Sequence, residues 1–380
     1  MKPIILFLFL FGILAVSQAQ IVEVSEEFPL PTSVSESSGI LYFNNKLITH
    51  NDSGGKNELY EVDLATGLIT RTITVANATN VDWEDLAQDD TSIYIGDIGN
   101  NLSGNRTDLK IYKINKTDFL TADTVMAQTI AFSYLDQIDF EPSPPNTTAW
   151  DAEALVSFDS NALILFNKNW VNGITRGYLV PKTPGTYALS PLPTTLISTG
   201  LITGATYNPM SAKLFLVGYS NGALPNVLQP FVWTCENFTS QDVFSGTNML
   251  TSLADTFSFE QTEAIAYKDE SNYFITSEAF TISVLSDYAK LISFSTNDKA
   301  LSIASKQDIN QFEVFPNPID NFLHIKGSEI SSVQIYDTKK VLLFQGSTFL
   351  IDMSQLSAGI YFVNIQFNDH STAVKKIIKK

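Results

Sequence analysis

Cysteine is nearly absent from this sequence: Cys235 is its one cysteine, so no disulfide can form within the chain. Charged residues are also scarce, at 17% of 380 residues, and the 23 basic side chains are outnumbered by 40 acidic ones. The resulting formal charge of −17 argues against nucleic acid as a partner and against docking on an anionic membrane. Cys235 lies in the alternating segment FVWTCE, which predicts a small buried apolar side chain.

Long apolar runs are missing except at the N-terminus, where Ile4 to Val16 is continuously apolar. Lys2 precedes this run and Ser17-Gln18-Ala19 follows it, which is the arrangement of a secretory signal with a small-x-small cleavage site. The run has about 13 residues, whereas a membrane-spanning helix needs roughly 20. The sequence therefore predicts a signal peptide over residues 1–19 and no transmembrane segment in the mature chain. A membrane anchor is the alternative.

Helical periodicity is almost absent before residue 300, and a repeated β pattern fills this part of the chain. In five segments an acid or glycine opens a small apolar strand, a turn follows, and a second strand ends in polar residues. The five openings are Glu36-Ser37-Ser38-Gly39-Ile40, Glu84-Asp85-Leu86-Ala87, Glu153-Ala154-Leu155-Val156, Thr203-Gly204-Ala205-Thr206 and Glu263-Ala264-Ile265-Ala266. Units of four strands that recur about every 40 to 50 residues or more are typical of a β-propeller.

The predicted fold is therefore all-β, with a five- or six-bladed β-propeller over residues 20–307 and a small antiparallel β-sandwich over residues 308–380. Five blades are visible as repeats. A sixth can be assembled from Ile21 to Phe28 together with Ala300 to Lys306, closing the ring from both ends of the chain. A β-sandwich is the alternative to the propeller. The segment Asp136 to Thr148 is expected to be a loop on one face.

Acids at matching places in the repeat give the main prediction about function. The innermost strands of a propeller line its channel, so residues at one position of each blade gather at one mouth. Four carboxylates, those of Glu36, Glu84, Glu153 and Glu263, are expected to converge there. Such a cluster needs a cation or raised pKa values, and oxygen ligands of this kind suit Ca²⁺. Further candidate ligands end the second strands: Asp52, Asp97, Asn100 and Asn167. The alternative is that each acid caps a turn.

His50 is the one histidine before residue 308 and lies in the loop His50-Asn51-Asp52-Ser53-Gly54-Gly55. Beside carboxylates it can act as a general base, and it can equally be a satisfied polar side chain at a blade corner. No G-x-S-x-G elbow surrounds Ser53, so a serine nucleophile is not expected. Trp83, Trp150 and Trp170 lie near blade openings, where packing between blades is favoured over stacking on a sugar.

The C-terminal segment carries four ordered motifs: Val314-Phe315-Pro316-Asn317-Pro318, Ile335-Tyr336-Asp337, Leu356-Ser357-Ala358-Gly359-Ile360-Tyr361 and a terminal Lys-Lys cluster. Together they resemble the C-terminal sorting domain of type IX secretion cargo. The resemblance implies that residues 312–380 are recognised by the type IX machinery and that the protein is exported across the outer membrane of a Gram-negative cell. An ordinary accessory sandwich is the alternative.

The propeller part resembles a group of secreted bacterial propellers that share a series of motifs in the same order. These are Ser38-Gly39, His50-Asn51-Asp52-Ser53-Gly54, Asp82-Trp83-Glu84-Asp85-Leu86-Ala87, Gly96-Asp97-Ile98-Gly99-Asn100-Asn101, Glu153-Ala154-Leu155, Thr203-Gly204-Ala205 and Glu263-Ala264-Ile265. The group is distantly similar to phytase-like, gluconolactonase and paraoxonase propellers, in which acids at the inner strands hold calcium. The chain departs from these at Gly204, where no fourth-blade acid stands, and it lacks a Lys/Arg cluster suited to phytate.

These observations predict an exported, calcium-binding propeller that acts as a cell-surface or secreted module for a small or carbohydrate-like ligand. The alternative function is a metal-dependent hydrolase of the lactonase, esterase or phosphoesterase kind, with His50 or a channel acid handling the proton. A third hypothesis is a structural adhesion module in which the ion braces the ring. The sequence alone does not decide whether the protein is an enzyme.

Overall fold

The computed structural model describes residues 21–222, 227–282, 285–298, 312–327, 330–338, 341–367 and 372–380. The predicted signal peptide, residues 1–19, and the segment 300–306 lie outside these ranges. The chain forms two compact units, Met1–Ala300 and Leu301–Lys380. Within the described residues the structure is nearly all strand, which confirms the predicted fold class.

The first unit is built from five sheets of four main strands, numbered here in chain order. The chain begins with β1 (Ile21–Pro29). Blade 1 contains β2 (Ser37–Phe43), β3 (Lys46–Asn51), β4 (Glu58–Asp63) and β5 (Ile69–Val75). Blade 2 contains β6 (Trp83–Gln88), β7 (Ser92–Asp97), β8 (Lys110–Asn115) and, after helix α1 (Lys116–Thr121) and β9 (Thr124–Val125), β10 (Gln128–Tyr134).

Blades 3 to 5 follow the same plan. Blade 3 contains β11 (Asp151–Ser157), β12 (Ala162–Lys168), β13 (Ile174–Pro181) and, after β14 (Gly185–Leu189), β15 (Pro191–Ile197). Blade 4 contains β16 (Leu201–Asn208), β17 (Lys213–Asn221), β18 (Val227–Glu236) and β19 (Thr247–Ser252). Blade 5 contains β20 (Gln261–Tyr267), β21 (Asn272–Glu278) and, after the hairpin β22 (Phe280–Ile282) and β23 (Leu285–Asp287), β24 (Lys290–Thr296).

The ring is closed by its N-terminal strand. In blade 5 the order from outside to inside is β1-β24-β21-β20, and β1 pairs antiparallel with β24 from Ile21↔Thr296 to Pro29↔Lys290. Blade 5 thus contains strands from both ends of the described unit. The main-chain hydrogen bonds between these strands resist opening of the ring. The described residues thus form five blades, and Ile21–Phe28 belongs to the fifth rather than to a sixth.

Five apolar clusters fill the five interfaces between neighbouring blades. The cluster between blades 1 and 2 contains Leu41, Ile73, Trp83 and Ile95, and each of these side chains is buried. Equivalent clusters lie at the other four interfaces, the last of which joins blade 5 to blade 1. Because each sheet is covered on both faces, its strands read as runs of Ile, Leu and Val. Trp83 is fully buried in this way, as the packing interpretation predicted.

Short strands cover two outer edges of the propeller. β9 pairs in parallel with β5, and β14 pairs in parallel with β10, so a connection in one blade extends the sheet of the blade before it. Covering an edge in this way removes a row of free backbone groups that would otherwise pair with another chain. The predicted loop at 136–148 has no helix or strand. Among the helices of the described ranges, none is long and apolar enough to cross a membrane.

The second unit is a pair of antiparallel sheets around its own core. The three-stranded sheet contains β25 (Phe312–Phe315), β26 (Phe322–Gly327) and β29 (Leu350–Asp352). The four-stranded sheet contains β27 (Ile330–Tyr336), β28 (Leu342–Gly346), β30 (Gly359–Phe367) and β31 (Thr372–Lys379). Side chains from both sheets, including Leu323, Ile325, Val333, Val363 and Ile377, are buried together, as expected of a small sandwich.

Candidate metal site at the upper mouth of the channel

Every inner strand has an irregularity at the same place in its pairing with the second strand of its blade. The regular pairing stops after Ser37, Trp83, Ala152, Ile202 and Thr262. The residues that come next are Ser38, Glu84, Glu153, Thr203 and Glu263, and we call these five the bulge ring. A bulge re-aims the side chain that occupies it, and here it does so at one level of the channel in all five blades.

Glu36 does not belong to the bulge ring, although the sequence predicted that it would match the other three glutamates. The pairing of β2 with β3 places Ser38 at the matching position, two residues later. Glu36 is exposed, and its backbone N–H donates to Asn51 Oδ1 over 3.3 Å. Ser38 is buried, and its hydroxyl donates to the backbone oxygen of Glu84 over 2.7 Å. The register expectation for Glu36 was therefore wrong by two residues.

Two acids that the sequence analysis did not select lie beside the ring. Asp82 and Asp151 each stand two residues before a ring glutamate, Asp82 just before β6 and Asp151 as the first residue of β11. Asp151 is fully buried, and its carboxylate accepts from the Asn100 N–H over 2.6 Å and from Trp170 Nε1 over 2.8 Å. Asp82 is only 7% exposed, and within the described residues no hydrogen-bond donor reaches its carboxylate.

The ends of the second strands add a further layer to this mouth. Ser37, Trp83, Ala152, Ile202 and Thr262 each pair with a residue of the second strand, and the residues that follow those partners are Asp52, Ile98, Lys168, Tyr219 and Glu278. Lys168 Nζ donates to Glu153 Oε2 over 2.8 Å and lies 5.1 Å from the ring centre of Trp170. The positive charge of Lys168 is therefore paired with a carboxylate, and the nearby ring of Trp170 attracts the same ammonium group.

The carboxylates come close enough to share a cation. One oxygen from each of Asp52, Asp82 and Glu84 lies within 4.8 Å of the other two, and the same is true of Glu84, Asp151 and Glu153. Oxygens bound to Ca²⁺ at about 2.4 Å can lie at most about 4.8 Å apart, so both triads have dimensions that fit this ion. Glu84 belongs to both. We call these five acids together with Lys168 the upper mouth.

Gly99 makes room for the upper mouth. A Cβ atom at this position would collide with Glu84 Oε1 and Asp82 Oδ2, so a larger residue cannot stand there without displacing the carboxylates. The loop that follows β7 therefore approaches the acids with bare backbone. This explains why the Gly/Asn-rich motif after the second strand of blade 2 accompanies the Asp-x-Glu motif.

Burial and mutual repulsion raise the pKa values of the clustered acids. Burial, followed by the charges of neighbouring carboxylates, raises the pKa of Asp82 to about 7. Burial is also the main cause that raises the pKa of Asp52 to about 6 and that of Glu263 to about 7. The pKa values of Glu84 and Glu153 are raised well above the usual range for the same reason. A bound cation is the natural way for such groups to stay ionised.

Asp97 and Asn100, which the sequence selected as ligands, hold the loop through their Oδ1 atoms, while Asp97 Oδ2 has no hydrogen-bond partner among the described residues. Asp97 Oδ1 accepts from the Asp82 N–H over 3.2 Å and from Arg106 Nη2 over 2.9 Å. Arg106 Nη1 donates to Gly99 O over 2.7 Å, and the Arg106 N–H donates to Asn100 Oδ1 over 3.0 Å. The two side chains position Gly99 and Asp82, and neither belongs to a carboxylate triad.

Asn167 and Glu278 lie at the ends of second strands with different partners. Asn167 Nδ2 donates to Ala149 O over 2.8 Å, and its Oδ1 accepts from the Arg176 N–H over 2.6 Å. Glu278 accepts from Gln261 Nε2 over 2.7 Å, and burial followed by the charge of Glu263 raises its pKa well above the usual range. Asn167 thus ties neighbouring strands together, while Glu278 extends the acidic surface towards blade 5.

His50 is fully buried, and among the described residues none of its hydrogen bonds is to a carboxylate. Its Nδ1 is 2.9 Å from Asn51 O, and its ring packs edge-on against Trp83 at 5.6 Å. Burial is the main cause that lowers its pKa to about 4. Its Nε2 faces Gly39 and has no hydrogen-bond partner among the described residues. This environment resembles a packed corner more than a proton-transfer site.

Asp85 closes the channel just below the upper mouth. It follows Glu84 in β6, and the four matching positions in the other blades are small: Gly39, Ala154, Gly204 and Ala264. Its Oδ2 accepts from the N–H groups of Leu155 over 2.8 Å and Ala205 over 3.2 Å, which belong to blades 3 and 4. One fully buried carboxylate thus spans three blades and separates the two ends of the channel.

Comparison with known proteins identifies the second unit. Residues 313–380 match the family described as the secretion system C-terminal sorting domain. This confirms the predicted type IX sorting tail, and the chain is accordingly a secreted or cell-surface protein whose tail addresses it to the secretion machinery. No curated protein matches the chain.

Several solved structures share a broad likeness with the chain at low identity. They include PorZ, a surface component of the type IX secretion system of Porphyromonas gingivalis, at 13% identity and a TM-score of 0.33, covering 90% of this chain and 45% of that one. Hydrazine synthase of Kuenenia stuttgartiensis shows 11% identity and a TM-score of 0.33 over 91% and 97% of the two chains. A GH32 β-fructofuranosidase of Bombyx mori shows 8% identity and a TM-score of 0.42 over 94% and 89%. This chain thus spans less than half the length of PorZ, and none of these likenesses assigns an activity to it.

Proposed function

We propose that the propeller is a calcium-binding module, delivered by its sorting tail to the cell surface or the medium, that binds a ligand there. Asp52, Asp82 and Glu84 are the proposed core of the metal site, with Asp151 and Glu153 as flanking ligands. The ion would neutralise the clustered carboxylates and fix the loop around Gly99 against the inner strands. Carboxylate oxygens are the ligands that Ca²⁺ prefers.

The observation that carries this proposal is the environment of Asp82. Asp82 is only 7% exposed, no hydrogen bond from the described part of the chain reaches its carboxylate, and it lies in a triad with Glu84 and Asp52. An ionised carboxylate without partners is costly to bury, and a divalent cation supplies the missing partner. Because Asp82 is held by the Asp97–Arg106 network only through its backbone, its carboxylate is free to coordinate.

A metal-dependent hydrolase has less support. That function needs a group beside the ion that can accept a proton from water or substrate. His50 is buried against Trp83, and burial followed by the Asn51 carbonyl sets its pKa without any carboxylate. Lys168 has a pKa raised well above its usual range, with the charge of Glu153 opposing the effect of burial, so it stays protonated. We therefore prefer a binding role to catalysis.

Calorimetric titration of the whole chain with Ca²⁺ at pH 8 tests the proposal. We expect saturable binding in the wild-type protein and its loss in Glu84→Gln, because Glu84 belongs to both triads. Glu36→Gln is the matched control, since Glu36 stands near the same mouth but is exposed, and its titration should equal that of the wild type. Binding that survives in Glu84→Gln, or no binding in the wild type, would overturn the proposal.

A further inference from the structure

The lower mouth of the channel, where the inner strands end, carries a second ring of matching residues. Four positions after each member of the bulge ring stand Tyr42, Gln88, Ser157, Tyr207 and Tyr267. Their pairing partners, from Leu47 in β3 to Tyr273 in β21, confirm that the five residues share one level of the channel. We call these five residues the lower ring. Three of its members are aromatic and none is charged.

A cavity of about 570 Å³ opens at the lower ring. All five inner strands line it, and its volume lies within the range of about 300 to 1,000 Å³ that is usual for sites of small ligands. Leu86 and Leu155 form part of its lining, and Asp85, which stands between Glu84 and Leu86 and hydrogen-bonds to blades 3 and 4, separates it from the acids. The cavity is therefore distinct from the proposed metal site.

The aromatic side chains of this cavity offer both a face and free hydroxyls. Tyr207 packs against Phe158, which also lines the cavity, with ring centres 4.8 Å apart. The Tyr42 hydroxyl is already used, since it donates to Asn45 Oδ1 over 2.9 Å. The hydroxyls of Tyr207 and Tyr267 have no protein partner among the described residues. Both rings are half-buried, so a ligand in the cavity can reach them.

Most charges that line the cavity are already engaged within the protein. Lys182 Nζ donates to Asp89 Oδ2 over 3.0 Å and to Ser157 Oγ over 2.8 Å. Lys116 Nζ donates to Gln88 Oε1 over 2.7 Å. Asp159 accepts from the backbone N–H groups that follow it and from a Gln241 amide. A ligand here meets aromatic faces, hydroxyls and an amide rather than a strong field of one sign.

We propose that the lower mouth binds a short neutral saccharide. The apolar C–H face of a pyranose ring fits against the rings of Tyr207 and Tyr267, and its hydroxyls match the tyrosine hydroxyls and the polar groups of the lower ring. A metal ion is not needed at this end, and the two lysines that line the cavity already hydrogen-bond within the protein, Lys182 to Asp89 and Lys116 to the Gln88 amide. The site is thus independent of the calcium site at the other end of the channel.

Titration of the whole chain with cellotriose, maltotriose and N,N′,N″-triacetylchitotriose tests this proposal, with binding followed by ligand-observed NMR. We expect at least one of the three sugars to bind, and the affinity to fall at least tenfold in Tyr207→Ala and in Tyr267→Ala. Tyr207→Phe and Tyr267→Phe keep the rings and remove the free hydroxyls, so they should fold normally and lose a smaller part of the affinity.

Tyr288→Ala is the control for a tyrosine elsewhere on blade 5, because Tyr288 is half-exposed and its hydroxyl donates to Glu26. It should bind the sugar as the wild type does, and so should Glu84→Gln, whatever its response to calcium. The proposal is overturned if none of the three sugars binds, or if binding is unchanged in all four Tyr207 and Tyr267 variants. Binding of tetramethylammonium without any sugar would identify an aromatic cage for cations and would also overturn it.

Discussion

The two ends of the five inner strands differ in chemistry although the matching residues lie only four positions apart along each strand. At the upper end the matching positions hold Ser38, Glu84, Glu153, Thr203 and Glu263, and at the lower end they hold Tyr42, Gln88, Ser157, Tyr207 and Tyr267. The same five strands thus place a cluster of acids at one mouth and an aromatic, uncharged ring at the other.

The two ends also treat their charges differently. At the lower mouth, Lys182 is paired with Asp89 and Ser157, so the charges are largely satisfied by the protein itself. At the upper mouth a single buried lysine, Lys168, stands among the five clustered carboxylates. The comparison teaches that the protein itself neutralises most charges at the lower mouth, whereas at the upper mouth the carboxylates outnumber the one buried lysine beside them, and this excess of acid is the basis of the proposed cation site.

Removing the barrier between the two ends should have the largest effect. Asp85→Ala leaves the N–H groups of Leu86, Leu155 and Ala205 without an acceptor in a fully buried position. A buried unsatisfied donor costs about 1–3 kcal/mol, so we expect a loss of more than about 3 kcal/mol in urea unfolding. Asp90→Ala, on the exposed turn that follows β6, should change stability by less than about 0.5 kcal/mol. Equal effects of the two substitutions would show that Asp85 does not tie the blades together.

Replacing the buried lysine at each end sharpens the comparison. Lys168→Met and Lys182→Met each break an ion pair whose lysine side chain is 6% exposed, at a cost of about 3 kcal/mol. Calcium should recover part of the loss in Lys168→Met, because the ion supplies positive charge beside Glu153. It should recover none in Lys182→Met. Urea unfolding of both variants with calcium and with chelator measures this difference, and equal recovery in the two would contradict the account.

In the absence of a metal, the raised pKa values of the acids at the upper mouth should make the protein less stable as the pH rises. The pKa values of Asp52, Asp82 and Glu263 are raised to about 6 or 7, so without a metal the folded state binds more protons than the unfolded state between about pH 4 and 7. Their contribution is fully present below pH 4 and is lost as the pH rises through 6 to 7. In chelator we expect these groups together to lower stability by on the order of 5 kcal/mol between pH 5 and pH 8.

His50 acts with the opposite sign in the same experiment. Burial lowers its pKa to about 4, so its contribution is lost as the pH falls from about 6.5 towards 4. His50 contributes equally to the wild type and to Glu84→Gln, so its contribution cancels when the free energies of unfolding of the two proteins are subtracted. Urea unfolding at pH 5, 6, 7 and 8 should give a shallower fall in Glu84→Gln, since one repelling carboxylate is gone. A steeper fall in that variant would mean that the acids do not interact as described.

The smallest effect should come from Glu36, the predicted ligand that lies outside the bulge ring. Glu36 is exposed, so Glu36→Gln should change stability by less than about 0.5 kcal/mol in urea unfolding, with or without calcium. A clear loss of the calcium response in this variant would return Glu36 to the site.

Much of the fold could be predicted because each blade uses the same pattern of apolar and polar residues. Five similar openings, each followed by an apolar second strand, predicted the blades, and the ordered C-terminal motifs predicted the sorting tail. The number of blades stayed open because the pattern of β1 does not reveal its partner. That partner, β24, follows it by more than 260 residues and is found only when the ring closes.

The candidate site was harder to predict because a bulge changes the register. Counting from the acid aligned Glu36 with Glu84, whereas counting from the apolar residues Ile40 and Leu86 would have aligned Ser38 with Glu84. The repeated Asp-x-Glu at Asp82 and Asp151 was a signal that the sequence contained, since each aspartate stands two residues before a glutamate that the pattern had selected. Nothing in the sequence pointed to Lys168, because the site was predicted from acidic residues at matching positions of the blades and Lys168 is basic.

Thermal unfolding of the whole chain with calcium and then with excess chelator tests the central claim most directly. A site filled at 100 times its dissociation constant adds about 2.7 kcal/mol to the free energy of unfolding, which corresponds to several degrees in Tm. We predict that Tm falls by several degrees on chelation in the wild type and in Glu36→Gln, and that it does not move in Glu84→Gln. An unchanged Tm in the wild type would contradict the claim that the upper mouth is a calcium site.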